Sequence, residues 1–196
     1  MLDPVSNNIV VIDLETSGIN PFQDEVLSVA IVPLTLPAPP CVVYVRPQHD
    51  EIHWSQFAKE NFKKFAANWN EKAVPAVFAL EKIEQYLNQT FGQGCVTAIG
   101  HNVGFDVAFI RKLAFLAGKN ELPGISHRAL DTHTMLYLLY LNGHLPVSAL
   151  SSDGAFEYFG IKISESNRHT ALADALATRE LVLKLLELLT NTQRSR

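Results

Sequence analysis

Ile9-Val10-Val11-Ile12-Asp13-Leu14-Glu15 reads as a β-strand, because five of its seven residues are apolar and mostly β-branched. Side chains alternate along a strand, so Ile9, Val11, Asp13 and Glu15 share one face while Val10, Ile12 and Leu14 share the other. Apolar residues on both faces predict a central strand covered on both sides. Two carboxylates nevertheless stand on one face, roughly 7 Å apart at about 3.3 Å per residue. Bare and buried they would repel each other and drift towards the protonated form; a divalent cation removes that conflict. Taken alone, the pair suits a solvated strand end equally well.

Working outward, Thr16-Ser17-Gly18 and Asn20-Pro21 signal a turn, and Val26–Val32 a second strand. The stiff Pro33–Pro40 connection leads to a third strand, Cys41–Pro47, and three strands joined this closely predict an antiparallel meander. Residues Glu51–Asn70 are rich in aromatics. Phe57, Phe62, Phe65 and Trp69 approximate one packed helical face, with a base-stacking platform aided by Lys59, Lys63, Lys64 and Lys72 as the alternative. His49 and His53 lie four apart but without the glutamate of a metalloprotease motif, so they are set aside as metal ligands.

Further on, Pro75–Phe91 predicts a helix and Cys95–Ile99 a short buried strand. Gly100-His101-Asn102 turns into a helix ending near Ala117. Ala129–Asp131 is expected as a brief strand before a helix over Thr132–Leu141, with further helices at Ser148–Phe159 and about Thr170–Leu189. Strands first, then strands alternating with helices, predict an α/β fold with a mixed sheet and helices on its faces.

The 196 residues suit one domain, expected to span 1–196 with its core at about 9–189. A composition 47% hydrophobic and 18% charged is that of a globular chain. The net charge of −4 argues against a protein that coats long nucleic acid, and leaves room for a local site meeting a few phosphates. Cys41 and Cys95 are expected as buried reduced thiols, which places the protein in the cytoplasm. The MLDPVSNN start lacks the features of a signal peptide, and no apolar run approaches the length of a membrane span.

Two further acids complete a pattern. Asp106 falls in the first turn of the helix after strand four, where a lone acid would ordinarily serve as a dipole partner. Asp174 shares a helix face with Ala171, Ala175 and Thr178, small neighbours that allow close approach to a sheet. His169, five residues earlier, reaches the same cavity only from the loop ahead of that helix, with Asn167 and Thr170 as candidate caps. Four carboxylates without a cysteine cluster favour hard cations, Mg²⁺ or Mn²⁺. Two such ions with a neighbouring imidazole are the parts of metal-dependent phosphodiester hydrolysis.

DLETSG (Asp13–Gly18), HNVGFD (His101–Asp106) and HTALADA (His169–Ala175), in that order, resemble the three exonuclease motifs of the DEDDh branch of 3′–5′ exonucleases. This is the DnaQ-like superfamily, which includes polymerase proofreading subunits, ribonuclease T and oligoribonuclease. The resemblance runs from about Ile9 to Leu189. It implies a ribonuclease-H-like fold whose five-stranded sheet has the order 3-2-1-4-5 with strand 2 antiparallel. It also implies that Asp13, Glu15, Asp106 and Asp174 hold two divalent cations and that His169 is the general base. Leu14, Thr16, Gly18, His101, Asn102 and Phe105 match substrate-binding positions, and Asp131-Thr132 a supporting one. An Ile-His-Gly-Ile-like segment common among relatives has no counterpart in HWSQFAKENFKKF, His53–Phe65.

The implied activity is release of nucleoside 5′-monophosphates from 3′ ends of single-stranded DNA or RNA. The chain is expected to act alone or as a homodimer, or as a proofreading-type subunit docked on a polymerase. A small site on an acidic protein predicts about two to four phosphate contacts, hence a slope of log K against log[salt] of roughly −1 to −3 on single strands. A measured slope near about −8 would reveal an extended basic track instead.

Overall fold

The structure, a computed structural model, describes residues 8–122, 124–164 and 168–194. Strands β1 (Ile9–Thr16), β2 (Val26–Pro33), β3 (Cys41–Tyr44), β4 (Val96–Gly100) and β5 (Ile125–Asp131) form one sheet in the order β3-β2-β1-β4-β5. β1 pairs antiparallel with β2, placing Asp13 opposite Ala30 and Glu15 opposite Ser28. Its other edge runs parallel with β4, from Ile9 opposite Thr97 to Val11 opposite Ile99. The helices are α1 (Gln56–Asn61), α2 (Ala66–Lys72), α3 (Ala76–Phe91), α4 (Val103–Leu116), α5 (Thr132–Leu141), α6 (Ser152–Tyr158) and α7 (Ala171–Arg194).

The period-two pattern of β1 sorts its side chains as expected. Val10, Ile12 and Leu14 pack with Leu80 and Ile83 of α3 and with Phe109, Ile110 and Leu113 of α4. Val11, on the opposite face, packs with Ala30, Val32 and Ile99 under Ala171, Ala175 and Val182 of α7. Helices therefore cover both faces, and the start of α7 can approach closely because Ala171 and Ala175 face the sheet there. A further cluster ties α5 and α6 to α7 through Leu136, Leu139, Phe156, Leu181 and Leu185. Among the described residues, no helix is long and apolar enough to cross a membrane.

Several boundaries differ from the sequence expectation. β3 stops at Tyr44 rather than Pro47. Val45 continues as an isolated bridge to Val74, and the exposed Arg46 and a proline without N–H end the ladder. β5 begins at Ile125 rather than Ala129, because it is an edge strand whose His127–Leu130 stretch is exposed and carries no apolar alternation. Cys95 is exposed at the turn before β4, not buried. Cys41 is half-buried, and burial pushes its thiol up to about 11. The aromatic segment is α1, a 3₁₀ turn over Lys63–Phe65 and α2 rather than one helix face. Phe62 and Trp69 are buried with Leu27 and Ala58, whereas Phe57 is 57% exposed. Of the candidate caps for α7, Thr170 Oγ1 accepts from the Ala173 N–H at 3.4 Å, while Asn167 lies outside the described residues. The side chain of Lys64 lies outside them too.

The helix expected over Ser148–Phe159 is a 3₁₀ turn, Val147–Leu150, followed by α6. Ser151 breaks it by capping α6, its hydroxyl accepting from the Gly154 N–H at 3.1 Å. The turn then folds so tightly over α6 that a Cβ on Gly154 would lie 1.7 Å from the Ser148 carbonyl oxygen. Gly154→Ala should therefore force the backbone apart, costing about 2 kcal/mol. For a chain of this size that lowers Tm by about 4–8 °C, measurable by thermal unfolding; a change within about 1 °C would contradict the close approach.

Candidate active site

β1 runs beyond the end of its pairing with β4, since β4 stops at Gly100 and the chain turns there into α4. The turn requires Asn102 in the left-handed region, φ 62°, and Gly100 packs too tightly against Val103 and Asp106 to carry a side chain comfortably. Asp106, buried in the first turn of α4, accepts the Leu14 N–H at 3.1 Å through Oδ1. Its carboxylate thus takes the place of the strand partner that β1 lacks.

On the α7 side of β1, Asp13 and Glu15 meet Asp174, and the three offer oxygens that all lie within 4.8 Å of one another. Their electrostatics match that crowding. Burial, then repulsion from Asp106, Glu15 and Asp174, raises the Asp13 pKa well above the carboxylate range. Burial and then Asp174 raise Glu15. Burial raises Asp106 against the opposing backbone hydrogen bonds, and burial raises Asp174 against the opposing pull of Arg168. Three convergent oxygens with no thiol among them suit a hard divalent cation, which would relieve the repulsion.

His169 lies ahead of α7, as its spacing from Asp174 requires, with a left-handed backbone at φ 64°. Its ring stands edge-to-face with those of Phe57 and Phe62 at centroid distances of 5.6 and 6.3 Å. Asp13, Glu15, Asp174 and His169 all line one cleft of about 340 Å³, walled also by Leu14, His101, Phe57, Phe62, Phe156 and Arg168. A larger hollow of about 780 Å³ opens at the far end of α4, around Phe115 and Cys95. It holds none of these acids, so the smaller cleft is the chemically equipped one.

Of the residues matched to substrate binding, Leu14 and His101 line the cleft. His101 is fixed by Nδ1 against Thr132 Oγ1 at 3.0 Å, and burial followed by the neighbouring His133 lowers its pKa. Thr16 Oγ1 donates to the Gly18 carbonyl at 2.6 Å. A Cβ on Gly18 would fall 2.3 Å from Asp24 Oδ2, so the turn after β1 needs bare backbone there. Asn102 is exposed, its N–H held by Asp131 Oδ1 at 2.9 Å. Phe105 is half-buried and packs on Phe109 at 4.8 Å, outside the lining of the cleft. Asp131 also caps α5 through the His133 N–H at 2.9 Å, a supporting position.

Sequence reasoning missed Arg168. Its guanidinium binds Asp174 and Asp153 together and lies over the Phe156 ring at 5.6 Å. Six residues from Asp174, it matches no helical spacing, and its position next to His169 is the signal that would have found it. His49 and His53 also have a task. His49 Nδ1 lies 2.7 Å from Glu25 and His53 Nδ1 2.6 Å from Asp24, both acids being buried. With the Ser55 N–H donating to Ser17 O at 2.8 Å, these contacts fasten the start of α1, and so Phe57, beside the cleft.

A family model described as Exonuclease matches residues 10–182. Ribonuclease T of Marinobacter nauticus is 30% identical over 186 residues, covering 88% of this chain and 79% of that protein. A DNA polymerase III subunit epsilon-like protein of Rhodobacter capsulatus is 37% identical over 98 residues, covering 49% of this chain. The match spans only 12% of that longer protein. Among solved structures, the nuclease domain of 3′hExo, a DEDDh family member bound to rAMP, superposes with a TM-score of 0.70 at 16% identity, covering 91% of each chain. The five-stranded sheet with helices on both faces is thus the ribonuclease-H-like exonuclease fold.

The raised carboxylates make stability fall with pH in the absence of a cation. An acid whose folded-state pKa exceeds its unfolded value binds more protons when folded, so stability is lost as pH climbs from the unfolded value, about 4, through the raised one. In chelator, Tm should decline across that window, and Asp13→Asn should flatten the decline and raise Tm at pH about 8. Differential scanning calorimetry checks this; a decline equally steep in Asp13→Asn would remove Asp13 from the repelling set.

Proposed function

We propose, from the premise that this chain belongs to the exonuclease family, that it removes nucleotides from 3′ ends of single-stranded DNA or RNA and releases nucleoside 5′-monophosphates. The observation that carries the reading is the meeting of Asp13, Glu15 and Asp174 within 4.8 Å in a cleft that also contains His169. The names of the ribonuclease T relative and of the nuclease domain bound to rAMP support it.

In this reading Asp13, Glu15 and Asp174, joined by Asp106 from outside their 4.8 Å set, would hold two divalent cations, Mg²⁺ or Mn²⁺. When bound, these supply a positive field that activates water and neutralises charge developing on the phosphate. The chain supplies the rest. β1 and the first turns of α4 and α7 fix the carboxylates from rigid elements, so little reorganisation remains for the transition state. His169 takes the proton of the attacking water, its ring packed crosswise against Phe57 and Phe62. The exposed Phe57 ring offers a stacking surface for an unpaired terminal base, worth about 1–3 kcal/mol per base.

A second reading, a proofreading-type subunit, rests on the similarity to the epsilon-like protein. Leu138, Leu139, Leu185 and Leu189 line an apolar groove of about 240 Å³ between α5 and the distal part of α7, which in that reading receives a polymerase segment. Turnover by the isolated chain on free oligonucleotides favours the stand-alone enzyme; recovery of a larger partner with the native protein favours the subunit.

The purified chain, given 5′-labelled single-stranded RNA or DNA with Mg²⁺ or Mn²⁺, should produce a ladder shortening from the 3′ end that chelator abolishes. Internal cleavage, or full activity in chelator, would overturn the reading. Asp13→Ala and Asp174→Ala should lose cation binding and turnover together. His169→Ala should keep cation binding while kcat falls by about 10²–10⁴. It should also lose the rise in rate across the pH range where imidazole deprotonates. Turnover of His169→Ala within a few-fold of wild type would remove the histidine from the chemistry.

A further inference from the structure

Asp174 has two claims on it. It belongs to the triad of oxygens within 4.8 Å that suits a divalent cation, and its Oδ1 is also bound by the Arg168 guanidinium. Both partners are cationic, and both draw on the negative charge of the same carboxylate.

Arg168 is not a loosely placed surface side chain. Its fork spans two helices, one N–H group meeting Asp174 in the first turn of α7 and the other meeting Asp153 in the first turn of α6. The guanidinium plane rests over Phe156, itself buried, and the side chain is 22% exposed. Asp153, by contrast, is 77% exposed and takes no part in the acid triad. The arginine therefore has a permanent anchor on α6 and a contested one on α7.

We infer that Arg168 and a divalent cation compete for Asp174, so that Arg168 sets the concentration of free cation at which the site fills. The inference rests on the carboxylate assignment under Proposed function and adds to it a regulating residue. Charge balance drives the exchange. A dication brings more positive charge to Asp13, Glu15 and Asp174 than one guanidinium does, whereas Asp153 and Phe156 hold the arginine against Asp174 and so oppose the exchange. Cation binding must then pay the loss of the Arg168–Asp174 pair, and affinity is lower than the acids alone would give. The exchange forms and breaks no covalent bond.

The test is a calorimetric titration of Mn²⁺ into the full chain, with no nucleic acid present. Arg168→Gln should bind Mn²⁺ about tenfold more tightly than wild type, within the usual range of coupling between two sites. Its Tm in chelator should fall, and its Tm gain on adding Mn²⁺ should exceed that of wild type. Asp153→Asn leaves the triad and Arg168 in place but removes the outer anchor. It should tighten Mn²⁺ by about threefold, the scale of an exposed ion pair, and it decides the matter if Arg168→Gln does not fold. Equal or weaker Mn²⁺ binding in both variants, with wild-type binding and nuclease activity intact, would overturn the competition and leave the exonuclease reading standing. Absence of Mn²⁺ binding by the wild type would overturn both.

Discussion

A central strand must find a partner for each of its N–H groups, and β1 outruns the strand that should provide one. Its parallel register with β4 ends at Val11, and the Leu14 N–H is met instead by the Asp106 carboxylate. That hydrogen bond locks the start of α4 to the end of β1 and brings a second element's acid towards the pair already on β1. The location follows from topology, since crevices in open α/β sheets open beyond the carboxyl ends of parallel strands. α7 then closes the other side because alanines let its backbone approach.

What the sequence made legible has a common character: it was periodic or local. The alternation in Ile9–Glu15 identified a doubly covered strand, and the alanines around Asp174 identified a helix face turned inward. His169 fell in the loop because 3.6 residues per turn left no other way to reach the cleft. β5 was foreshortened because an edge strand exposed on both faces has no apolar alternation to read. The break between the 3₁₀ turn and α6 hinged on Ser151 acting as a cap within an otherwise helical stretch. Arg168 bridging two helices, and histidines pairing with acids 24 and 29 residues away, are contacts that no spacing encodes.

The cleft consequently has two walls of different construction. One is made of β1, α6, α7 and the turn before α4, packed on apolar residues that are almost wholly buried. The other is aromatic and hangs from a short helix. α1 is six residues long, too short to hold itself, and depends on the burial of Ala58 and Phe62 and on the contacts of His49, His53 and Ser55 with the turn after β1. Gly18 is part of the same arrangement, because a side chain there would push away the Asp24 carboxylate to which His53 is attached. A position matched to substrate contact thus acts on the cleft through the wall it helps to hang.

The long path between the acids also governs what a growing chain can do on the ribosome. Asp13 and Glu15 emerge on a strand that pairs with its neighbour across a short turn, whereas Asp106 meets Leu14 across 92 residues and Asp174 arrives later still. Closing such long loops is slow compared with forming a hairpin. A nascent chain halted before α7 holds only part of the acid set and lacks His169 as well. The cluster of oxygens from Asp13, Glu15 and Asp174 therefore exists only once the helix carrying Asp174 has docked on the sheet.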